Sequence, residues 1–382
     1  MTEPRRDEHE VEGMPLADDL VGDVRVAFLR VSRFGSHEQT RVPWPEGQSS
    51  PNAYDARRHR MSRPETATTT ESQLEQFRGE LTAYCYRMLA SPFEAEDAVQ
   101  ETMLRAWRSM DRFEGRASLR SWLYRIATNV CLDMLAGRER RARPMDLGPA
   151  QEPVESNLNT LPETTWIQPM PDSLVAEGDP AEVAASRETI RLAFVAALQH
   201  LPPRQRAVLI LCEVLRWKAS EVAELLETSV ASVNSALQRA RAKLEANDLS
   251  ASSGSSSVDE ADEELLARYV AAFEAYDMEA LTSLIKEDAK QSMPPFDMWL
   301  SGRDDIFEWW LGPGIGCRGS RMIAVESANG APAFGQYKPS LDGGYEPWAL
   351  QVLEVEDGRI VELTFFLDTE TLFPLFGLPL QI

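Results

Sequence analysis

Ser118 to Arg143 reads SLRSWLYRIATNVCLDMLAGRERRAR. Its apolar residues, Leu119, Trp122, Leu123, Ile126, Ala127, Val130, Cys131, Met134 and Leu135, recur in steps of three and one, which predicts one amphipathic helix. Ser118 stands where a side-chain oxygen can cap the first turn, and Gly137 with Arg138, Arg140, Arg141 and Arg143 stands where a helix end favours glycine and cations. Arg120, Tyr124, Arg125, Thr128, Asn129 and Asp133 fall on the other face and are expected in solvent. Such a face can stack on bases and hold phosphates. Arg116 to Arg143 holds seven arginines against two acids, a local +5 in a chain whose formal charge is −22.

Working upstream, Ser91, Pro92 and Glu94 form a helix start: a capping serine, proline in the first turn and an acid three residues after the cap. The helix that follows is expected to bury Ala98, Val99, Thr102, Met103, Ala106 and Trp107 and to expose Glu96, Asp97, Gln100, Glu101, Leu104 and Arg105. Before it, Leu74, Phe77, Leu81, Tyr84, Cys85 and Met88 make another helical stripe, and Asp111 to Gly115 reads as a loop into the Ser118 helix.

The pattern S-x-x-x-W-L-x-x-I-A-x-N-x-x-x-D from Ser118, preceded by EAEDAVQETMLRAW at Glu94 to Trp107, resembles region 2 of the extracytoplasmic-function (group 4) sigma-70 factors. The resemblance implies that Asp97, Gln100, Glu101 and Leu104 meet the clamp helices of core RNA polymerase. It also implies that Arg120, Trp122, Tyr124, Arg125, Thr128, Asn129, Arg138, Arg140 and Arg141 meet the promoter minus-ten element. The periodicity turns Trp122 toward the core, so Asn129 is the better candidate for direct base contact.

The 382-residue chain is long enough for two or three domains, and no apolar run approaches the roughly 18 residues a membrane span needs. The first residues, MTEPRRDEHEVEG, lack the apolar core of a secretory signal, so a cytoplasmic location is expected. Cys85, Cys131, Cys212 and Cys317 are far apart in sequence without a C-x-x-C pair and read as reduced thiols; no metal site or cofactor is expected. Net charge is unevenly spread. Gly148 to Ser186 carries seven acids and no base, Val258 to Ile382 carries 23 acids and eight bases, and Arg187 to Asn247 carries nine bases and six acids. The acidity therefore spares the candidate DNA-facing segments.

Residues 1–69 show no sustained periodicity and are expected to be disordered, with Met14 or Met61 as alternative natural starts. Residues 70–144 form the first domain. Residues 145–185 are Pro-rich and acidic and read as a linker with Trp166 as a candidate anchor. By the resemblance this linker runs near the RNA exit path, where its charge can imitate RNA; a plain soluble tether is the other reading. In residues 186–248, Ile190, Ala193, Phe194, Ala197 and Leu198 form a stripe, LPPRQRAVLILCEVL restarts a helix, and two short helices joined at Glu227-Thr228 make a helix-turn-helix. Val230, Val233, Leu237 and Leu244 are its expected buried positions. Ser229, Ala231, Ser232, Asn234, Ser235 and Gln238 are placed to reach base edges, and Arg239, Arg241 and Lys243 to hold phosphates. With LPPRQR and the RARAKL ending, this block resembles sigma region 4, the reader of the minus-thirty-five element. Relatives often carry glycine or another small residue where this chain has Glu227.

After a Ser-rich linker, residues 249–258, the segment 259–382 opens with helical stripes through Leu265, Tyr269, Phe273 and Leu284. It then turns to strands: RMIAVESANG, PAFGQYKP, PWALQVLEVEDG and RIVELTFFLD. Its D-x-x-A-L-x-x-L helix, M-P-P block and final D-G-R-I turn resemble the SnoaL-like branch of the nuclear-transport-factor-2-like (NTF2-like) fold, a cone-shaped sheet wrapped by helices. The expected fold class is therefore multidomain: two all-α sigma domains, a helical bundle and a helix-turn-helix, followed by an α+β cone. The third domain contains no histidine, which removes one common proton-transfer pair of that fold. Met293, Asp297, Trp299, Trp309, Tyr345 and Trp348 are candidates for a small-molecule pocket, or else core. The turn Asp342 to Tyr345 and the terminal FPLFGLPL, Phe373 to Leu380, are expected to be exposed docking elements.

The functional expectation is an alternative sigma factor, not an enzyme, that binds core polymerase through its clamp helices and flap and directs promoter-specific initiation. Its last domain is expected to modulate that activity in cis. Promoter DNA is the second partner, and an anti-sigma factor and a small ligand are further candidates; no membrane is involved. Two alternatives stand beside it: a helix-turn-helix regulator with a ligand-sensing NTF2-like domain, and a small-molecule enzyme of the SnoaL-like fold.

Overall fold

The computed structural model describes residues 72–113, 115, 118–175, 189–246, 260–341 and 343–382. All belong to one compact unit, Arg63–Ile382. The expected disordered extension 1–69 and the Ser-rich linker 249–258 lie outside the described residues, as does the end of the acidic linker.

Three helices form the first layer: α1 (Arg78–Leu89), α2 (Pro92–Ser109) and α3 (Leu119–Leu135). Both expected caps are made, Ser91 accepting from the amide of Glu94 and Ser118 from that of Ser121. Helix α3 stops at Leu135, so the arginines after Gly137 are not on it; they fold back in extended chain. Cys85 and Cys131, distant in sequence, meet in this core, where the hydrogen bond with Cys131 and then burial push the Cys85 thiol well up. The helical block that resembles sigma region 4, called region 4 below, follows with α4 (Leu192–Gln199), α5 (Pro203–Leu209) and its π-helical continuation Ile210–Val214, then α6 (Ala219–Leu225) and α7 (Val230–Ala246).

The last domain begins with α8 (Glu260–Ala275) and α9 (Met278–Leu284) and then builds a six-stranded sheet. Its strands are β1 (Ile285–Ser292), β2 (Trp299–Ser301), β3 (Arg321–Ala328), β4 (Ala331–Pro339), β5 (Tyr345–Glu356) and β6 (Arg359–Phe366). The order is β2-β1-β6-β5-β4-β3, parallel only between β1 and β6. Helix α10 (Arg303–Leu311) lies between β2 and β3, and α11 (Thr369–Leu375) ends the fold.

Register separates the two faces of this sheet. Gln291, Leu363, Leu353 and Gln351 point to the concave side, where Tyr269 of α8 donates to Gln351 and Trp310 of α10 to Gln291. Gln351 continues to Gln336 and Gln336 to Ser320, so the cone interior is closed by a satisfied polar chain. Leu350, Val352 and Glu354 of β5 share the opposite face with Phe366, Thr364 and Glu362 of β6. That face receives the sigma regions.

Candidate nucleic-acid and polymerase interface

Helix α2 presents Asp97, Gln100 and Leu104 to solvent and Glu101 partly so, as the periodicity predicts. Trp107 contradicts its expected burial: it is 57% exposed, beside a stripe already completed by Ala98, Thr102 and Ala106. An indole and Leu104 left in water on one helix make an apolar surface that the bundle itself does not use.

On α3 the solvent-face expectation holds in part. Arg125 and Asn129 are exposed, but Tyr124 and Thr128 are fully buried. The reason is packing from two directions. Tyr84 of α1 lies edge-on to Tyr124 at 5.1 Å and its hydroxyl is 2.7 Å from that of Thr128, while the Trp217 ring of region 4 lies tilted against Tyr124 at 5.1 Å. Burial pushes both tyrosine hydroxyls far above their ordinary range, so they stay neutral. Arg120 is held by Glu80 at 2.6 Å and lies over the rings of Tyr124 and Trp217. Arg125 pairs with Glu227.

Three arginines past the helix are also engaged. Arg138 and Arg141 both reach Glu94, at 2.6 and 3.0 Å. Arg141 is buried and donates to the carbonyl of Trp166 at 2.6 Å, and Arg140 contacts the His200 ring at 3.1 Å. Trp166 is buried, in keeping with an anchor for the linker. What α3 leaves open is a cleft of about 340 Å³ lined by Arg105, Arg108, Ser109, Trp122, Ile126 and Asn129. Trp122 is half-buried and its ring meets Phe113 at 5.0 Å. The sequence pattern does not single out the loop aromatic Phe113, although an aromatic between two helices of a nucleic-acid binder is a usable signal.

In region 4, α6, the turn and α7 form the expected hairpin. Ser229 caps α7 by accepting from the amide of Ser232 at 3.1 Å. Ser229, Ala231, Ser232, Asn234, Ser235, Gln238, Arg239, Arg241 and Lys243 are all exposed, with Arg241 pairing to Glu213. Val230, expected inside, is 44% exposed, while Val233 and Ala240 are buried. Glu227 adopts φ +51°, the left-handed region where glycine carries no Cβ penalty. The turn is thus built in the geometry a glycine would favour, and the glutamate reaches Arg125 from it.

The six candidate pocket residues fall in three places: Met293, Asp297 and Trp299 around the β1–β2 connection, Trp309 on α10, and Tyr345 and Trp348 on β5. Asp297 and Trp299 sit against the linker, the Asp297 amide donating to Asn159 and the Trp299 indole to Gly148. Met293 is buried after β1 and Trp309 is buried within α10. Tyr345 meets Arg321, and Trp348 takes Lys338 over its ring at 4.1 Å. The terminal segment also departs from expectation. Leu372, Phe373 and Leu378 are buried on their own domain's sheet, with Phe373 against Tyr337 and Leu378 in the space left by Gly335, where a Cβ would stand 2.6 Å from it. Leu380 and Ile382 remain exposed.

Contacts between the regions are extensive. Arg206, in LPPRQR, is buried and donates to the carbonyls of Leu198, Gln199 and Leu201 in its own region and of Met88 in region 2; burial lowers it to about 10. Arg191 pairs with Glu354, and Arg143 lies 3.9 Å from Glu362, so the cross-strand acids Glu354 and Glu362 each meet an arginine from a different sigma region. Burial raises the Glu354 carboxyl above its ordinary range in spite of Arg191.

Residues 74–141 match the family Sigma-70 region 2, residues 191–244 match Sigma-70, region 4, and residues 266–363 match the SnoaL-like domain. The ECF RNA polymerase sigma factor SigG of Mycobacterium tuberculosis is 46% identical over 308 residues, covering 80% of this chain and 82% of the relative. SigJ of the same species is 28% identical over 306 residues, covering 76% and 89%. The crystal structure of SigJ aligns with a TM-score of 0.52 at 24% identity over 81% of this chain and 99% of that one, so the three-part fold is shared. Among the described residues no helix is long and apolar enough to cross a membrane. With region 2, region 4 and a near-full-length relative in agreement, the chain belongs to the extracytoplasmic-function sigma-70 family of RNA polymerase sigma factors.

Proposed function

We propose that this chain binds core RNA polymerase in the cytoplasm and directs initiation at promoters whose two elements it reads, without catalysing a reaction itself. Asp97, Gln100, Glu101 and Leu104, joined by Trp107, form the polymerase-facing surface. The cleft beside Trp122 and Asn129 receives an unstacked minus-ten base, and α7 reads the minus-thirty-five element from Ser229 to Lys243. The observation that carries this reading is the polar side of α7: a helical hairpin serving only a core would bury part of it, whereas all nine candidate residues stand in solvent.

The SnoaL-like domain modulates this activity in cis by holding a closed form. The two promoter elements lie about 25 base pairs apart, on the order of 85 Å at 3.4 Å per step. Here Arg125 on the minus-ten helix touches Glu227 in the turn before the minus-thirty-five helix. Both elements cannot be read together from that arrangement, so the regions must separate on the promoter. The scattered placement of the six pocket candidates favours no second reading.

Transcription with purified core polymerase and the full chain, on templates that include the DNA upstream of its own gene, tests the proposal. Promoter-specific transcripts that require the added chain are expected. A chain that neither binds core polymerase nor starts transcripts contradicts it.

A further inference from the structure

The tip of the β3–β4 hairpin is the two-residue turn Asn329-Gly330, with φ +56° and +71°, the combination an Asn-Gly type I′ turn supplies. A turn alone explains an asparagine here. It does not explain where the side chain goes. Asn329 is 0% exposed, and every one of its side-chain hydrogen bonds leaves the hairpin. Its Oδ1 accepts from the Met170 amide of the linker at 2.8 Å. Its Nδ2 donates to the Tyr86 hydroxyl of region 2 at 2.7 Å and to the Ile190 carbonyl at the start of region 4 at 2.6 Å. The Asn329 backbone amide donates to the Met170 carbonyl at 3.0 Å.

Neighbouring groups extend the grip. Asp172 of the linker accepts from the Gly330 amide at 2.8 Å and from the Ser327 hydroxyl at 2.7 Å. Tyr86, besides accepting from Asn329, donates to the Gln168 carbonyl at 2.8 Å. One amide therefore joins the linker, region 2 and region 4 to the third domain, in a site closed to water where each lost partner leaves a buried polar group unpaired. The exposed pair Arg125–Glu227 is weak by comparison, because solvent screens it.

We propose that the Asn329-Gly330 tip is the catch of the closed form: it grips the linker at Met170 and Asp172 and ties both sigma regions to it, and it must withdraw before the two regions can separate on a promoter. This rests on the sigma-factor reading above. The occupant of the tip's surface is this chain's own linker, and the control it implies is release of that segment as the regions separate.

The test is hydrogen exchange by mass spectrometry on the full chain and on Asn329→Asp and Asn329→Gly, each also assayed for transcription with core polymerase. Aspartate keeps the acceptor and tolerates the left-handed turn but loses both donors; glycine keeps the turn and loses the whole side chain. Expected is exchange at residues 167–175 faster by about tenfold or more in both variants, from loss of buried hydrogen bonds. The β5 and β6 amides should stay as protected as in the unsubstituted chain, and initiation should rise. The unsubstituted chain should show the same linker release once core polymerase is bound. Unchanged linker protection in both variants, or equal loss across β5 and β6, overturns the catch. Transcripts made by the unsubstituted chain with its linker still protected also overturn it. If that chain neither binds polymerase nor initiates, the underlying reading falls, and the catch as a control of initiation falls with it.

Discussion

The two helices proposed above to read promoter DNA are both polar on one side, yet the structure treats them differently. Helix α7 keeps its candidate residues in solvent, whereas α3 has lost Tyr124 and Thr128 to the interior and has Arg120 and Arg125 occupied by Glu80, Trp217 and Glu227. Amphipathic pattern decides which side of a helix can be buried, but the number of neighbours decides how much of the rest follows. Helix α7 packs within its own region, on α5 and α6; α3 is packed by α1, α2 and, across the interface, by α5 and α6. Under the proposed roles, the upstream helix stands open and the downstream helix is partly covered, its Trp122–Asn129 cleft remaining accessible.

The largest break in that contrast should come from Arg206, whose guanidinium spans the regions. Arg206→Ala leaves four carbonyls short of a charged donor and should lower the unfolding free energy by about 3 kcal/mol, read by urea denaturation. A change near zero would mean that the covering of α3 does not depend on this bond. Trp107→Ala addresses the exposed surface of α2 and should weaken core polymerase binding about tenfold, some 1.4 kcal/mol, with the melting temperature almost unchanged. Titration of labelled chain into polymerase reads it; equal affinity would remove Trp107 from the interface.

Glu227→Gly sharpens the comparison directly. It relieves a left-handed non-glycine residue, worth about 1 kcal/mol, against an exposed ion pair worth about 0 to 1 kcal/mol, so the chain should be no less stable. Arg125 is set free, and affinity for a single-stranded minus-ten oligonucleotide should rise roughly two- to threefold at low salt, by fluorescence anisotropy. Lower affinity would show that Glu227 does not compete with DNA. The smallest effect belongs to His200, held below its ordinary 6.5 by burial and then Arg140, with Asp146 opposing them. A depressed histidine binds protons more readily when unfolded, so its contribution is present above about 6.5 and lost as pH falls below it. A stability loss under about 1 kcal/mol between pH 7.5 and pH 5.5 is expected, absent in His200→Gln.

Much of this architecture is legible in local chemistry. Ser91 and Ser118 cap where a serine before an apolar stripe should, the helix-turn-helix forms where its pattern places it, with Val233 buried but Val230 exposed, and the four strands between Gly, Pro and Asp punctuation are present. Strand β1 escapes such a reading because IKEDAKQS lacks alternation and has Ile285 as its one β-branched residue; its burial comes from the strands on either side. Trp107 misleads because a large apolar residue next to a core stripe looks like core until the stripe is seen to be complete without it. The terminal FPLFGLPL looks like an unpartnered end because the slot over Gly335 is made by strands distant in sequence. Asn329 stays hidden for a different reason: Asn-Gly is sufficiently explained by its turn, and only the assembled junction shows its amide spent on three other segments.

In the proposed closed form the downstream helix is partly covered in the free chain and released on the promoter. The distance between dyes at Glu139, past α3, and Glu245, near the end of α7, measured by single-molecule energy transfer on the full chain, tests this directly. One short distance is expected in the free protein. With core polymerase and promoter DNA it should increase by several tens of ångströms, since the two elements are on the order of 85 Å apart. An unchanged distance in a complex that makes transcripts would contradict it.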